Sequence, residues 1–135
     1  MYDCHIEGDG EYSYIMCNYW CSGGIIGYAG EGGTYLENCS AKDIYIWSAY
    51  GGAGALVGML QYGNTIKDCF AENVTIELNS PYACGYACGN GEESTYDNVS
   101  VKNVTVTYND TELKDIPVDG SGYHNCDNKD LIFRD

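Results

Sequence analysis

"YLENCSAKDIYI" (Tyr35–Ile46) is followed thirty residues later by "IKDCFAENVTI" (Ile66–Ile76), and thirty later again by "YDNVSVKNVTV" (Tyr96–Val106). Superposed, Cys39 falls on Cys69 and Val99, Ala41 on Ala71 and Val101, Ile44 on Val74 and Val104, and Ile46 on Ile76 and Val106. The apolar positions alternate with period two, which is a strand pattern, and "KD" or "EN" stands between the two inward pairs as a corner. Short β-branched runs interrupted by Gly argue against helix.

A second segment repeats between these copies. "GGIIGY" (Gly23–Tyr28) matches "GALVGM" (Gly54–Met59) and, more weakly, "GYACGN" (Gly85–Asn90) and "DIPVDG" (Asp115–Gly120). In the third copy Cys88 is read in the place of Gly58. "YDCHI" (Tyr2–Ile6) reads as an earlier copy of the Cys segment, with extra residues before Gly23. "YHNCDNKDLIF" reads as a later one, placing Cys126 on Val99, Leu131 on Val104 and Phe133 on Val106.

Three short strands per repeat, in register, describe the coil of a parallel β-helix, whose equivalent positions form ladders along its axis. The expected inward ladders are Cys39–Cys69–Val99–Cys126, Ala41–Ala71–Val101 and Ile44–Val74–Val104–Leu131. Charge supports the register. Glu37–Lys67–Asp97 and Lys42–Glu72–Lys102 alternate in sign, so neighbours on adjacent coils attract. The ladders Asn38–Asp68–Asn98–Asn125 and Asp43–Asn73–Asn103–Asp130 belong at corners, because Asn and Asp tolerate the left-handed conformation and can hydrogen-bond between coils. The fold class expected is all-β: one domain, residues 1–135, forming a right-handed parallel β-helix of about four coils of roughly 30 residues. The copies lie near 2–22, 23–53, 54–84 and 85–114, with a partial one at 115–135. The last copy stops mid-coil and no capping helix is visible, so the chain is expected to be part of a longer protein or to associate end to end.

The Gly-Gly-apolar-Val-Gly segment followed by an Asn-Cys strand, as in "GGIIGYAGEGGTYLENCSAKDIYI" (Gly23–Ile46) and "GALVGMLQYGNTIKDCFAENVTI" (Gly54–Ile76), resembles the GLUG-type repeat of bacterial surface proteins. That resemblance implies a β-helical stalk or adhesin-like scaffold on an extracellular or cell-surface protein. It implies no particular chemistry.

Composition narrows the function classes. A net charge of −14 with only 6 Lys plus Arg offers no basic cluster for nucleic acid or for an anionic membrane surface. No stretch is long enough to span a membrane. The eight Cys include two CxxxC pairs, Cys17/Cys21 and Cys84/Cys88, which lack zinc-knuckle spacing, so no metal or cofactor is expected. Cys39, Cys69 and Cys126 read as inert rungs of the core. "EGDGE" (Glu7–Glu11) and "NGEE" (Asn90–Glu93) read as acidic turns before cation sites. The carboxylates scatter over corners and do not converge as a glycosidase requires. A non-catalytic structural or binding module is therefore expected, with a carbohydrate-active β-helix enzyme as the alternative. Tyr45 and Trp47 point outward where later coils carry Thr75, Glu77, Thr105 and Thr107. With Tyr50 and Tyr62 they form a candidate contact surface for carbohydrate or for a host or cell-surface protein.

Overall fold

The computed structural model describes residues 1–10, 13–80, 82–89, 94–114 and 130–135. It is all-β, a parallel β-solenoid of about three turns. The strands are β1 (His5–Glu7), β2 (Tyr14–Cys17), β3 (Ser22–Gly23), β4 (Ile26–Ala29), β5 (Tyr35–Glu37), β6 (Ser40–Ser48), β7 (Ala53–Gly54), β8 (Val57–Leu60), β9 (Thr65–Lys67), β10 (Phe70–Leu78), β11 (Thr95–Asp97), β12 (Val99–Tyr108), β13 (Thr111–Glu112) and β14 (Leu131–Arg134).

The long sheet stacks β1 and β2 end to end on β6, then β10, then β12. β5, β9 and β11 stack beside it, and the pairs β3–β7 and β4–β8 form the Gly-flanked side. The register is the thirty-residue one: Ala41 pairs with Ala71, Ile46 with Ile76, and Val74 with Val104. Each coil donates backbone N–H groups to the one before it. Ser40 N donates to Cys4 O, Phe70 N to Cys39 O and Ser100 N to Cys69 O, all near 3.0 Å.

Over the three copies at an offset of thirty, the expected inward rows are inward. Cys39, Cys69, Val99, Ala41, Ala71, Val101, Ile46, Ile76 and Val106 are buried, and Val104 is half-buried. Another inward row, Leu36–Ile66–Tyr96, lies on β5, β9 and β11. Removing such stacked side chains from water stabilises the fold by roughly 1.5–3 kcal/mol for each large one.

The first three residues of each corner ladder are left-handed. Asn38, Asp68, Asn98, Asp43, Asn73 and Asn103 have φ between 50° and 54°. Side chains join successive corners: Asn98 Nδ2 donates to Asp68 Oδ1 (2.7 Å), Asn73 Nδ2 to Asp43 Oδ1 and Asn103 Nδ2 to Asn73 Oδ1 (both 2.9 Å). The charge ladders are in register, and one step of each closes as an ion pair. Lys67 Nζ lies 3.3 Å from Glu37 and Lys102 Nζ 3.9 Å from Glu72, while Lys42 meets Glu7 at 3.8 Å on the preceding coil.

The Gly-flanked segment is two short strands with a bend between them, not one strand. An added Cβ on Gly54 would stand 2.6 Å from Cys88 Cα, and one on Gly58 2.7 Å from the Ser22 carbonyl carbon. Only glycine lets these backbones approach so closely. Val57 bridges Cys88, so Cys88 occupies the place of Val57 and Gly89 follows in the place of Gly58. This corrects the assignment of Cys88 to Gly58.

A second correction concerns the last copy. Leu131 pairs with Val99 and Phe133 with Val101, five residues from the expected partners Val104 and Val106. Leu131 therefore does not continue the Ile44–Val74–Val104 row. The same register carries Asp130 away from Asn103 and toward Asn98. The cause lies at Asn109 and Asp110, both left-handed (φ 50° and 58°), which turn the chain back into a hairpin. β13 then pairs antiparallel with Thr107–Tyr108, and Leu113 N donates to Val106 O. With the far end of β12 occupied, β14 takes the near end. Cys126, Asn125 and the segment 115–120 lie outside the described residues.

At the other end "YDCHI" does pair as an early copy. His5 faces Ser40, but Tyr14 faces Tyr45, so the offset falls from 35 to 31. The offset changes at the corner after Gly8, where Ser13 N donates to Asp9 Oδ1 and Asp9 N to Ser13 Oγ, both 3.0 Å.

Candidate binding surface

Alternation along β6 decides what faces out. Ile44, Ile46 and Ser48 are buried, and Tyr45 and Trp47 between them are half-exposed. β2 lies on β6 with the same parity. Ile15 packs toward the core, and Tyr14 (62% exposed) and Met16 (57%) point outward. The register sets Tyr14 beside Tyr45 and Met16 beside Trp47. These four side chains line an open groove of about 370 Å³.

Along the same face the rows continue into polar side chains. Tyr14–Tyr45 is followed by Thr75 and Thr105, and Met16–Trp47 by Glu77 and Thr107. An aromatic platform thus passes, in steps of about 4.8 Å, into a strip of hydroxyl and carboxylate groups.

The turn after β2 adds a second aromatic group. Tyr19 stands edge-on to Trp20 (6.3 Å between ring centres) and to Tyr50 (6.1 Å). Tyr19, Trp20, Tyr28 and Met59 line a second cleft with Cys17 and Cys21, of about 570 Å³. Of the four expected contact residues, Tyr45 and Trp47 share the first groove and Tyr50 joins the neighbouring Tyr19–Trp20 group. Tyr62 belongs to a different turn, between β8 and β9, where its carbonyl accepts from Gly32 N. Tyr14, Met16, Tyr19, Trp20 and Tyr28 were not anticipated. The signal was present: "YIMC" (Tyr14–Cys17) matches "YIWS" (Tyr45–Ser48) at an offset of 31.

The core thiols are removed from solvent. Cys69 donates to Lys67 O (3.0 Å) and Cys39 to Glu37 O (3.2 Å). Burial pushes the Cys69 and Cys84 thiols up to about 11. Cys88 is also buried. Of the acidic turns, Glu7 pairs with Lys42 and Asp9 clips Ser13, while Glu11 and Asn90–Glu93 lie outside the described residues. Among the described residues no three His, Cys, Asp or Glu side chains are close enough to hold a metal ion, and no helix is long and apolar enough to cross a membrane. No family model, no curated protein and no solved structure matches the chain.

Proposed function

We propose that this chain is a non-catalytic binding module on a right-handed parallel β-helix of about four coils, from a bacterial surface or secreted protein, and that it holds neutral carbohydrate. The observation that carries the reading is the pairing of Tyr14 with Tyr45 and of Met16 with Trp47 on one exposed face. Sugar rings present an apolar C–H face that packs on aromatic rings and a rim of hydroxyls that seek donors and acceptors. The aromatic platform, followed by Thr75, Glu77, Thr105 and Thr107, is matched to both. The net charge of −14 disfavours anionic polysaccharides and leaves neutral ones. The GLUG-like pattern of Gly23–Ile46 and Gly54–Ile76 supports the surface setting. Ion pairs that engage Lys42, Lys67 and Lys102 support a structural use of these bases over proton abstraction.

A glycan array carrying neutral and anionic oligosaccharides tests the reading. Neutral glycans should bind, and Trp47→Ala should weaken the best of them at least tenfold with an unchanged circular dichroism spectrum. Binding of anionic glycans alone, capture of only protein ligands, or indifference to Trp47→Ala would overturn it. Shortening of the bound glycan, with or without Ca²⁺, would overturn the non-catalytic part.

A further inference from the structure

We propose that Cys17 and Cys21 form a thiol–disulfide site whose oxidation state sets the position of the Trp20 ring. Four of the other described thiols, Cys39, Cys69, Cys84 and Cys88, are buried in the stacked core. Cys17 and Cys21 are half-exposed and both line the same open cleft. Only Asn18, Tyr19 and Trp20 separate them, and these residues bend the chain from β2 into β3.

The neighbouring coil shows what each sulfur adds. Cys17 Sγ donates to Trp20 O at 3.2 Å. Its register partner Ser48 makes the same bond across the next turn, from Oγ to Gly51 O at 2.8 Å. Serine is therefore sufficient to clip the turn, and cysteine brings a chemistry that serine lacks. Cys21 lies over Gly52, where a Cβ would come within 3.0 Å of Cys21 Sγ, so glycine leaves the space that this sulfur uses. Burial raises the Cys21 pKa, and the neighbouring Cys17 adds to that rise.

The oxidant is a small-molecule disulfide such as oxidised glutathione. The Cys17 thiolate attacks one of its sulfurs, the S–S bond breaks, and one thiolate leaves and takes a proton. The Cys21 thiolate then attacks Cys17 Sγ and expels the second small thiol. Two protein thiols lose two electrons in total, one external disulfide gains them, and the protons pass to the departing thiols. The S–H donor to Trp20 O disappears in the process. Trp20 then moves relative to Tyr19, and the cleft changes shape.

The test equilibrates the folded chain in glutathione buffers from fully reduced to fully oxidised, followed by acid quench, alkylation and peptide mapping. A Cys17–Cys21 disulfide should appear while Cys39, Cys69, Cys84 and Cys88 remain thiols. In a Trp47→Phe background, Trp20 fluorescence should change with the same midpoint, and Cys17→Ser should abolish the change while preserving the fold. Cys17 and Cys21 remaining as thiols, or as separate mixed disulfides, at the oxidising limit would overturn the proposal. A midpoint unchanged in the urea-unfolded chain would also overturn it. Glycan affinity plays no part in this readout, so its outcome is separate from that of the array.

Discussion

Asn73 stands on Asp43 and donates from Nδ2 to Asp43 Oδ1 across 2.9 Å, while both backbones hold the same left-handed turn (φ 53° and 54°). One residue type thus meets two demands of a stacked corner, a positive φ and a lateral hydrogen bond. Asn73 also accepts from Asn103, so its side chain links three coils. Asn73→Gly should keep the turn and lose the bonds, costing about 1 kcal/mol. Asn73→Ala should lose both, costing about 2 kcal/mol. Urea denaturation of the two variants checks the order.

Gly54 and Gly32 are glycines for different reasons, and substitution should separate them. Gly54 has the backbone of Cys88 against it, so Gly54→Ala forces coils apart and should cost about 3 kcal/mol. Gly32 has open space around it and only a φ of 63° to defend, so Gly32→Ala should cost about 1 kcal/mol. Thermal melts of the two variants should differ accordingly.

The buried thiols make the fold sensitive to alkali. Cys69 and Cys84 titrate near 9.0 when unperturbed and near 11 when folded, because burial disfavours the thiolate. Between those values the folded chain holds protons that the unfolded chain has released. Stability is therefore full below pH 9 and falls as pH rises through 9 to 11, by on the order of 2 kcal/mol per thiol. Denaturant midpoints at pH 8, 9.5 and 10.5 should decline, and Cys69→Val, which borrows the residue of the next coil, should flatten part of the decline.

Crosslinking checks the register of β14. Val99→Cys with Leu131→Cys should form a disulfide under mild oxidation, located by peptide mapping, because these residues are direct partners. Val104→Cys with Leu131→Cys should not.

The repeat was readable because in-register stacking makes neighbours in space equal in sequence offset. Cys39 over Cys69, Glu37 beside Lys67 and the two Asn/Asp corners all followed from an offset of thirty. What escaped lies where the offset changes. The surplus residues after Gly8 hid the match of Tyr14–Cys17 to Tyr45–Ser48, and with it half of the aromatic surface. The hairpin at Asn109–Asp110 broke the count before Leu131, since two adjacent left-handed residues without glycine look like one more corner. Tyr62 looked equivalent to Tyr50 because parity along a strand says nothing about the side of the coil on which a turn emerges. Buried Asn64 gave no warning either. It accepts from Thr34 N and donates to Gly30 O and Gln61 O, pinning one coil's turn to the next.

The Asp9–Ser13 clip closes a corner at which the offset to the next coil falls from 35 to 31, while β1 and β2 keep their places on β6. Length is therefore a free variable at that vertex, decoupled from the core. Foreign peptide loops grafted between Asp9 and Ser13, or at the equivalent vertices after Asp43 and Asn73, would be displayed at intervals of one coil along a rigid rod, which turns the corner ladder into a ruler for spacing epitopes.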